Sequence, residues 1–198
     1  MKVVEFFFDF GSPAAYLAWT QLPALCTEAG AELVYRPLLL GGVFQATGNR
    51  SPAEVAAKGR YMHRDLRRYA ARYGVPYRHN PHFPVNTLLL MRGATGLQMH
   101  QPERFADYGR AVYQAMWVDG RDMNDPAVVA EVLAAASLDP AALVALAGRQ
   151  DVKDRLKAVT TEAVERGVFG APTMFVGDEM FWGQDRLDFV REALQHGG

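Results

Sequence analysis

Strand-type chemistry occurs only near the two ends of this chain, and more than a hundred residues between them carry helical signals alone. That distribution limits the fold more than any other feature. A sheet has to be assembled from pieces far apart in sequence, with helices carried between them. At the first end, Val3 to Phe8 is a short apolar run rich in Val and Phe, the composition of a strand buried on both faces. Gly11-Ser12-Pro13 then starts a helix, since Ser is a favoured N-cap and Pro is favoured at the first helical position. Leu22, Leu25, Cys26 and Ala29 repeat at helical spacing, and Gly30 closes the helix. Pro23 within it predicts a kink or a late, irregular start. Glu32 to Leu40 predicts a second strand, completing a strand–helix–strand opening.

The middle reads differently. Ser51-Pro52-Ala53-Glu54 has the form of a capping box with Pro at the first helical position. Phe105, Tyr108, Val112, Ala115 and Met116 share one helical face. Val128, Val129, Val132 and Leu133 form a second, and Val152, Leu156, Val159 and Ala163 a third. Asp125-Pro126 and Asp139-Pro140 each predict a cap followed by a helix start. At the far end, Thr173 to Val176 and Glu179 to Trp182 predict two strands joined by Gly177-Asp178, a two-residue hairpin turn. Asp185 is expected to cap a last helix, with Leu187, Val190 and Leu194 along its inner face. The fold class is therefore α/β. A βαβ opening and a C-terminal hairpin around inserted helices is the thioredoxin-like layout. Residues 1–50 and 151–198 would form a discontinuous thioredoxin-like domain, and 51–150 a helical insertion.

Composition then narrows the chemistry. Lys plus Arg is 21 and Asp plus Glu is 22, so a formal charge of −1 gives no general attraction to nucleic acid. Glu5 and Asp9 break up any signal-peptide core, and no apolar run approaches the ~18 residues of a membrane span. A cytoplasmic protein without membrane or nucleic-acid partners is expected. One cysteine, Cys26, excludes an internal disulfide, a CxxC redox pair and a cysteine-based zinc site. No metal site is expected: His79 and His82 are three apart, but Asn80-Pro81 between them argues against a helical metal face. The sequence holds no HExxH, P-loop or GxGxxG.

Three segments converge in the predicted layout: Asp9-Phe10-Gly11-Ser12-Pro13, Gly170-Ala171-Pro172-Thr173 and Trp182-Gly183-Gln184-Asp185-Arg186-Leu187. With Phe7-Phe8 and Tyr16-Leu17-Ala18 beside the first, and Val168-Phe169 and Met174-Phe175 around the second, the chain resembles the DsbA-like branch of the thioredoxin superfamily. Within it the chain is similar to 2-hydroxychromene-2-carboxylate isomerases and to kappa-class glutathione transferases. Gly48-Asn49 and Arg60-Tyr61-Met62 add to a likeness that spans nearly the whole length.

The resemblance implies a glutathione-dependent isomerase of aromatic catabolism. It would interconvert 2-hydroxychromene-2-carboxylate and trans-o-hydroxybenzylidenepyruvate by transient thiolate addition. The cofactor would be glutathione, the substrate a small aromatic molecule, and the assembly a homodimer. Ser12 stands where DsbA-like oxidoreductases keep their attacking cysteine, so the reactive sulfur would arrive with the ligand and Ser12 would hydrogen-bond it. Ala171 and Pro172, with Pro172 expected cis, would pair with an extended γ-Glu-Cys-Gly peptide. Trp182, Gly183, Gln184 and Asp185 would take its γ-glutamyl end, with Asp185 facing the ammonium. Asn49 and Asn86 lie in loops and read equally as turn formers or as substrate ligands.

Arg60, Arg64, Arg67, Arg68 and Arg72 form a cationic stripe, either a solvated face or an attractor of a carboxylate substrate. The isomerases carry basic residues where this chain has Phe44 and Val85-Asn86-Thr87, a departure that bears on the substrate more than on glutathione. Three alternatives stay open: a kappa-like transferase or peroxidase that consumes glutathione, a thiol–disulfide oxidoreductase, and a non-catalytic glutathione-binding module.

Overall fold

Val3–Phe8 (β1) forms the strand that its composition predicts, and it lies inside a four-stranded sheet in a computed structural model that describes residues 2–196. The strand order is β2-β1-β3-β4, with β2 at Glu32–Pro37, β3 at Thr173–Val176 and β4 at Glu179–Trp182. β1 runs parallel to β2 and antiparallel to β3, and β3 turns into β4 through Gly177-Asp178. A central strand is covered on both faces, which is why β1 is apolar apart from Glu5, whose carboxylate pairs with Arg36 and Arg166. Phe6 and Phe8 point into a large core with Trp19, Tyr35, Phe105 and Tyr113. Phe7 points the other way, into a smaller one with Val159, Ala163, Val168 and Phe175.

Pro13–Ala29 (α1) follows, with Gly30 in the left-handed conformation as its C-cap. The helix runs unbroken through Pro23, so the expected late start does not occur. The second strand is shorter than predicted. It stops at Pro37, and Leu40–Thr47 (α2) replaces its expected end. Two bonds draw that segment off the sheet: the Leu39 N–H donates to Thr160 Oγ1 at 3.0 Å and the Leu40 N–H to Asp9 Oδ2 at 2.8 Å.

The capping box also resolves differently. Ser51 Oγ accepts from the Ala53 N–H and starts only a 3-10 turn, Pro52–Glu54. Val55 is extended, and the helix proper is Ala56–Tyr73 (α3). After it come Leu88–His100 (α4), Pro102–Gln114 (α5), Pro126–Ala135 (α6), Pro140–Gly148 (α7) and Gln150–Glu165 (α8). Asp125 and Asp139 cap α6 and α7 as their Asp-Pro pairs predict. Between β2 and β3 the described residues contain no strand. The inserted helices do not build a core of their own: Phe8, Phe105, Leu143 and Leu156 belong to one buried cluster.

Two further features position the site. The ladder at the end of α5 widens into a π-turn over Ala115–Asp119, a local geometry often found at functional sites. The last helix, Leu187–His196 (α9), packs Leu187, Val190 and Leu194 inward. Among the described residues no single helix is long and apolar enough to cross a membrane.

Candidate active site

Ser12 is the N-cap of α1, and its Oγ accepts from the Ala15 N–H at 3.1 Å. The same hydroxyl donates to the Ala171 carbonyl at 2.8 Å, a link across 159 residues that joins two of the convergent segments. Other first-turn groups are accounted for. Pro13 has no N–H, the Ser12 N–H donates to the Asp9 carbonyl, and the Tyr16 N–H donates to the Ser12 carbonyl. The Ala14 N–H has no partner among the described residues. It lies at the positive end of a 17-residue helix, where an anion is stabilised by up to ~2 kcal/mol.

The second segment is shaped by three contacts. The Ala171–Pro172 peptide is cis. Thr173 Oγ1 donates to the Gly170 carbonyl at 2.8 Å, and the Gly183 N–H donates to the Pro172 carbonyl at 3.0 Å. Glycine at 170 lets the indole close on the loop: a Cβ there would lie 2.7 Å from Trp182 Nε1, and the ring would have to shift. Trp182, 46% exposed, packs its ring against Phe169 in a tilted contact at 5.0 Å between centroids. Asn49 reaches the same place: its Nδ2 donates to the Phe169 carbonyl at 2.8 Å.

The third segment departs from expectation. Asp185 does not cap α9. It sits inside a 3-10 turn, Gln184–Arg186, whose N-cap position is Gly183, and α9 starts only at Leu187. Its carboxylate turns back over Gly183 and pairs with Arg186 at 2.6 Å. The turn is held from α3, where the Tyr73 hydroxyl donates to the Gln184 carbonyl at 2.6 Å. Gly183 adopts φ 102 and ψ 150, a region open to glycine only. Gly183→Ala should therefore cost about 1–3 kcal/mol of strain. It should also push Asp185 aside, and thermal unfolding should read the lost stability.

Asn86 stays a turn former. Its Oδ1 accepts from the Leu88 N–H at 3.1 Å, and its N–H donates to Asn124 Oδ1 at 2.9 Å. The neighbouring Thr87 makes the closer approach: its Cγ2 would be 3.3 Å from a Cβ on Gly11.

Below Ser12 lies a residue that the sequence reasoning did not assign. Asp9 is 1% exposed. Its Oδ1 accepts from the Gly11 N–H and its Oδ2 from the Leu40 N–H, both at 2.8 Å, and Thr87 adds a side-chain hydrogen bond. One carboxyl group thus ties the Ser12 loop to the start of α2 and the start of α4. Burial pushes its pKa up; the bonds from Leu40, Gly11 and Thr87 pull the other way. An acid placed directly after Phe6-Phe7-Phe8 at the end of a buried strand was the available signal, since such a position is buried by the strand it ends.

Cys26 offers no competing chemistry. It is 2% exposed on the inner face of α1, and burial pushes its thiol up to about 11. Cys26→Ala should leave activity intact and cost on the order of 1 kcal/mol in thermal unfolding.

Comparison with known proteins agrees with this geometry. Residues 3–195 match the model of the DSBA-like thioredoxin domain. A 2-hydroxychromene-2-carboxylate isomerase of Sphingobium xenophagum is 36% identical over 198 residues, covering 98% of each chain. A solved 2-hydroxychromene-2-carboxylate isomerase superposes with a TM-score of 0.85 at 32% identity, covering 98% of this chain and 94% of that one. A glutathione S-transferase kappa 2 of Caenorhabditis elegans is 29% identical, covering 98% of this chain and 92% of its own. A serine-capped α1 joined to a cis-proline loop on a thioredoxin-type sheet, with these likenesses running end to end, places the chain in the 2-hydroxychromene-2-carboxylate isomerase family of DsbA-like proteins, with the kappa-class glutathione transferases as more distant homologues.

Proposed function

We propose that this chain is a glutathione-dependent cis–trans isomerase acting on a 2-hydroxychromene-2-carboxylate or a related aromatic-catabolism intermediate in the cytoplasm, as a homodimer. The observation that supports it best is the Ser12 hydroxyl at the N-terminus of α1, joined to Ala171, in a chain whose only thiol is buried near the opposite end of that helix.

The residues around Ser12 fit glutathione. Ala14 and Ala171 both keep a backbone N–H without a partner among the described residues, one suited to an anion and one to an extended peptide strand. Asp185 offers an accessible carboxylate for the γ-glutamyl ammonium, while Trp182, Gly183 and Gln184 shape the wall beside it. When bound, glutathione supplies a thiolate whose transient addition turns a substrate double bond into a rotatable single bond.

The chain's own work is electrostatic and positional. Ser12 Oγ has to turn its proton from the Ala171 carbonyl toward the sulfur. That exchange is favourable, because a hydrogen bond to an anion is roughly twice as strong as one to a neutral carbonyl. A thiol with pKa ~8.5 needs about 2.7 kcal/mol of preferential stabilisation to drop two units, which a helix terminus and one such bond supply together. Pro172 holds Ala171 against the ligand, and Asn49 stands at the rim over Phe169 as a substrate contact. Asn86 reaches the cleft only through its neighbour Thr87, so its substrate role is the weaker of the two.

Calorimetric titration with glutathione tests this reading. Binding at or below millimolar concentration is expected, and no binding there overturns it. The kappa-class likeness favours one second reading, a transferase that consumes glutathione. Counting the thiol before and after turnover separates the two.

A further inference from the structure

Two buried polar atoms two residues apart in the chain have no partner among the described residues: His79 Nδ1 and Tyr77 Oη. An unsatisfied buried group costs about 1–3 kcal/mol, and native folds keep few of them. Both belong to one aromatic cluster. His79 lies 5.9 Å from Phe83 and 6.4 Å from Trp117, Tyr77 lies 6.4 Å from Trp117, and Phe83 lies 6.0 Å from Trp117.

The cluster is fastened to the Ser12 loop. Trp117 sits in the π-turn, and its Nε1 donates to the Phe10 carbonyl at 2.8 Å, two residues before Ser12. The π-turn also holds the loop that carries His79: the Arg78 N–H donates to the Trp117 carbonyl at 2.7 Å and Asn80 Nδ2 to the Met116 carbonyl at 3.0 Å.

Charge around the cluster has one sign. Arg67 of α3 stands close enough for its charge to act on both His79 and Tyr77. It pairs with no carboxylate among the described residues, whereas Arg68 of the same stripe pairs with Asp65 and Arg72 lies over Tyr69. His63, one helical turn before Arg67, covers His79 with ring centroids 3.7 Å apart and makes no hydrogen bond among the described residues. Burial, and to a lesser degree His63 and Arg67 beside it, holds the His79 imidazole below its usual range. The complement of an unpaired guanidinium beside two unpartnered polar atoms is an anion.

We propose that Arg67, His79 and Tyr77 bind the carboxylate of the aromatic substrate, with Phe83, backed by the buried Trp117, as the wall for its ring and His63 as the cover that moves aside. This assignment rests on the isomerase reading above. It supplies the cation that this chain lacks at Phe44 and Val85-Asn86-Thr87.

The test uses the full chain with glutathione present and two probes, ortho-hydroxycinnamate and its primary amide, followed by calorimetry and by isomerisation kinetics. The parent should bind the acid more tightly than the amide. Arg67→Gln and His79→Phe should each weaken the acid by about tenfold, the loss expected for a charged hydrogen bond. Affinity for the amide and for glutathione should not change, and KM should rise more than kcat falls. Arg67 is exposed, so Arg67→Gln should fold even if His79→Phe does not. Unchanged acid affinity in Arg67→Gln, or a parent with no preference for the acid, overturns the proposal. A parent that shows the preference and its Arg67 dependence but neither binds glutathione nor isomerises would sink the isomerase reading and leave the anion site standing.

Discussion

Ser12→Ala should lower turnover at saturating glutathione by at least about tenfold, because the lost group is a charge-assisted hydrogen bond of ~1.5–3 kcal/mol. The apparent pKa of the bound thiol should rise by about one unit or more, since each unit corresponds to 1.36 kcal/mol. Two structural losses accompany the chemical one. Ala15 loses its cap, costing about 1 kcal/mol, and the Ala171 carbonyl loses its donor across the cleft. Thermal unfolding reads the structural part, and spectroscopic titration of the bound thiol reads the chemical part. A variant with lowered stability but an unchanged thiol pKa would make Ser12 a cap and nothing more.

Asp9→Asn should have the second large effect. The two carboxylate oxygens accept from two different backbone amides, Gly11 and Leu40. An asparagine has one oxygen, so its NH2 must face one of those N–H groups in a fully buried place. The cost should be about 2–4 kcal/mol, the lost bond plus the unsatisfied donors. Because that carboxyl joins the Ser12 loop to α2 and α4, KM for substrate and for glutathione should rise together.

The pH dependence follows from the direction of the shift. Burial raises the folded pKa of Asp9 above its ordinary value of 3.8, so the folded chain holds that proton more tightly than the unfolded one. Its contribution to stability is therefore fully present below that ordinary value and is lost as pH rises through the elevated one. Denaturant midpoints measured across this interval should show the loss in the parent, and Asp9→Asn should abolish it.

Much of this architecture was legible because it rests on local chemistry. Val3–Phe8, the Gly177-Asp178 hairpin and the capped starts at Ser12, Asp125 and Asp139 each carry their own signal in a few adjacent residues. Errors arose where a distant partner decides. Leu38-Leu39-Leu40 reads as the end of a strand, but Asp9 and Thr160 take its amides and start α2 instead. Asp185 has the look of a cap, but Gly183, the one residue free to adopt φ 102, takes that position and displaces it. The site followed the same division. Ser12 and Pro172 were marked by motif. Asp9 carried a signal in its place at the end of β1, but Thr87 and the His63–His79 contact depend on three-dimensional neighbours that no spacing rule reveals.

Isomerisation of the chromene substrate, followed in the ultraviolet with glutathione present and absent, tests the central claim most directly when glutathione is counted before and after many turnovers. The predicted result is a rate that depends on glutathione while the amount of free thiol stays constant. Equal rates with and without glutathione, or one thiol lost per turnover, would contradict it.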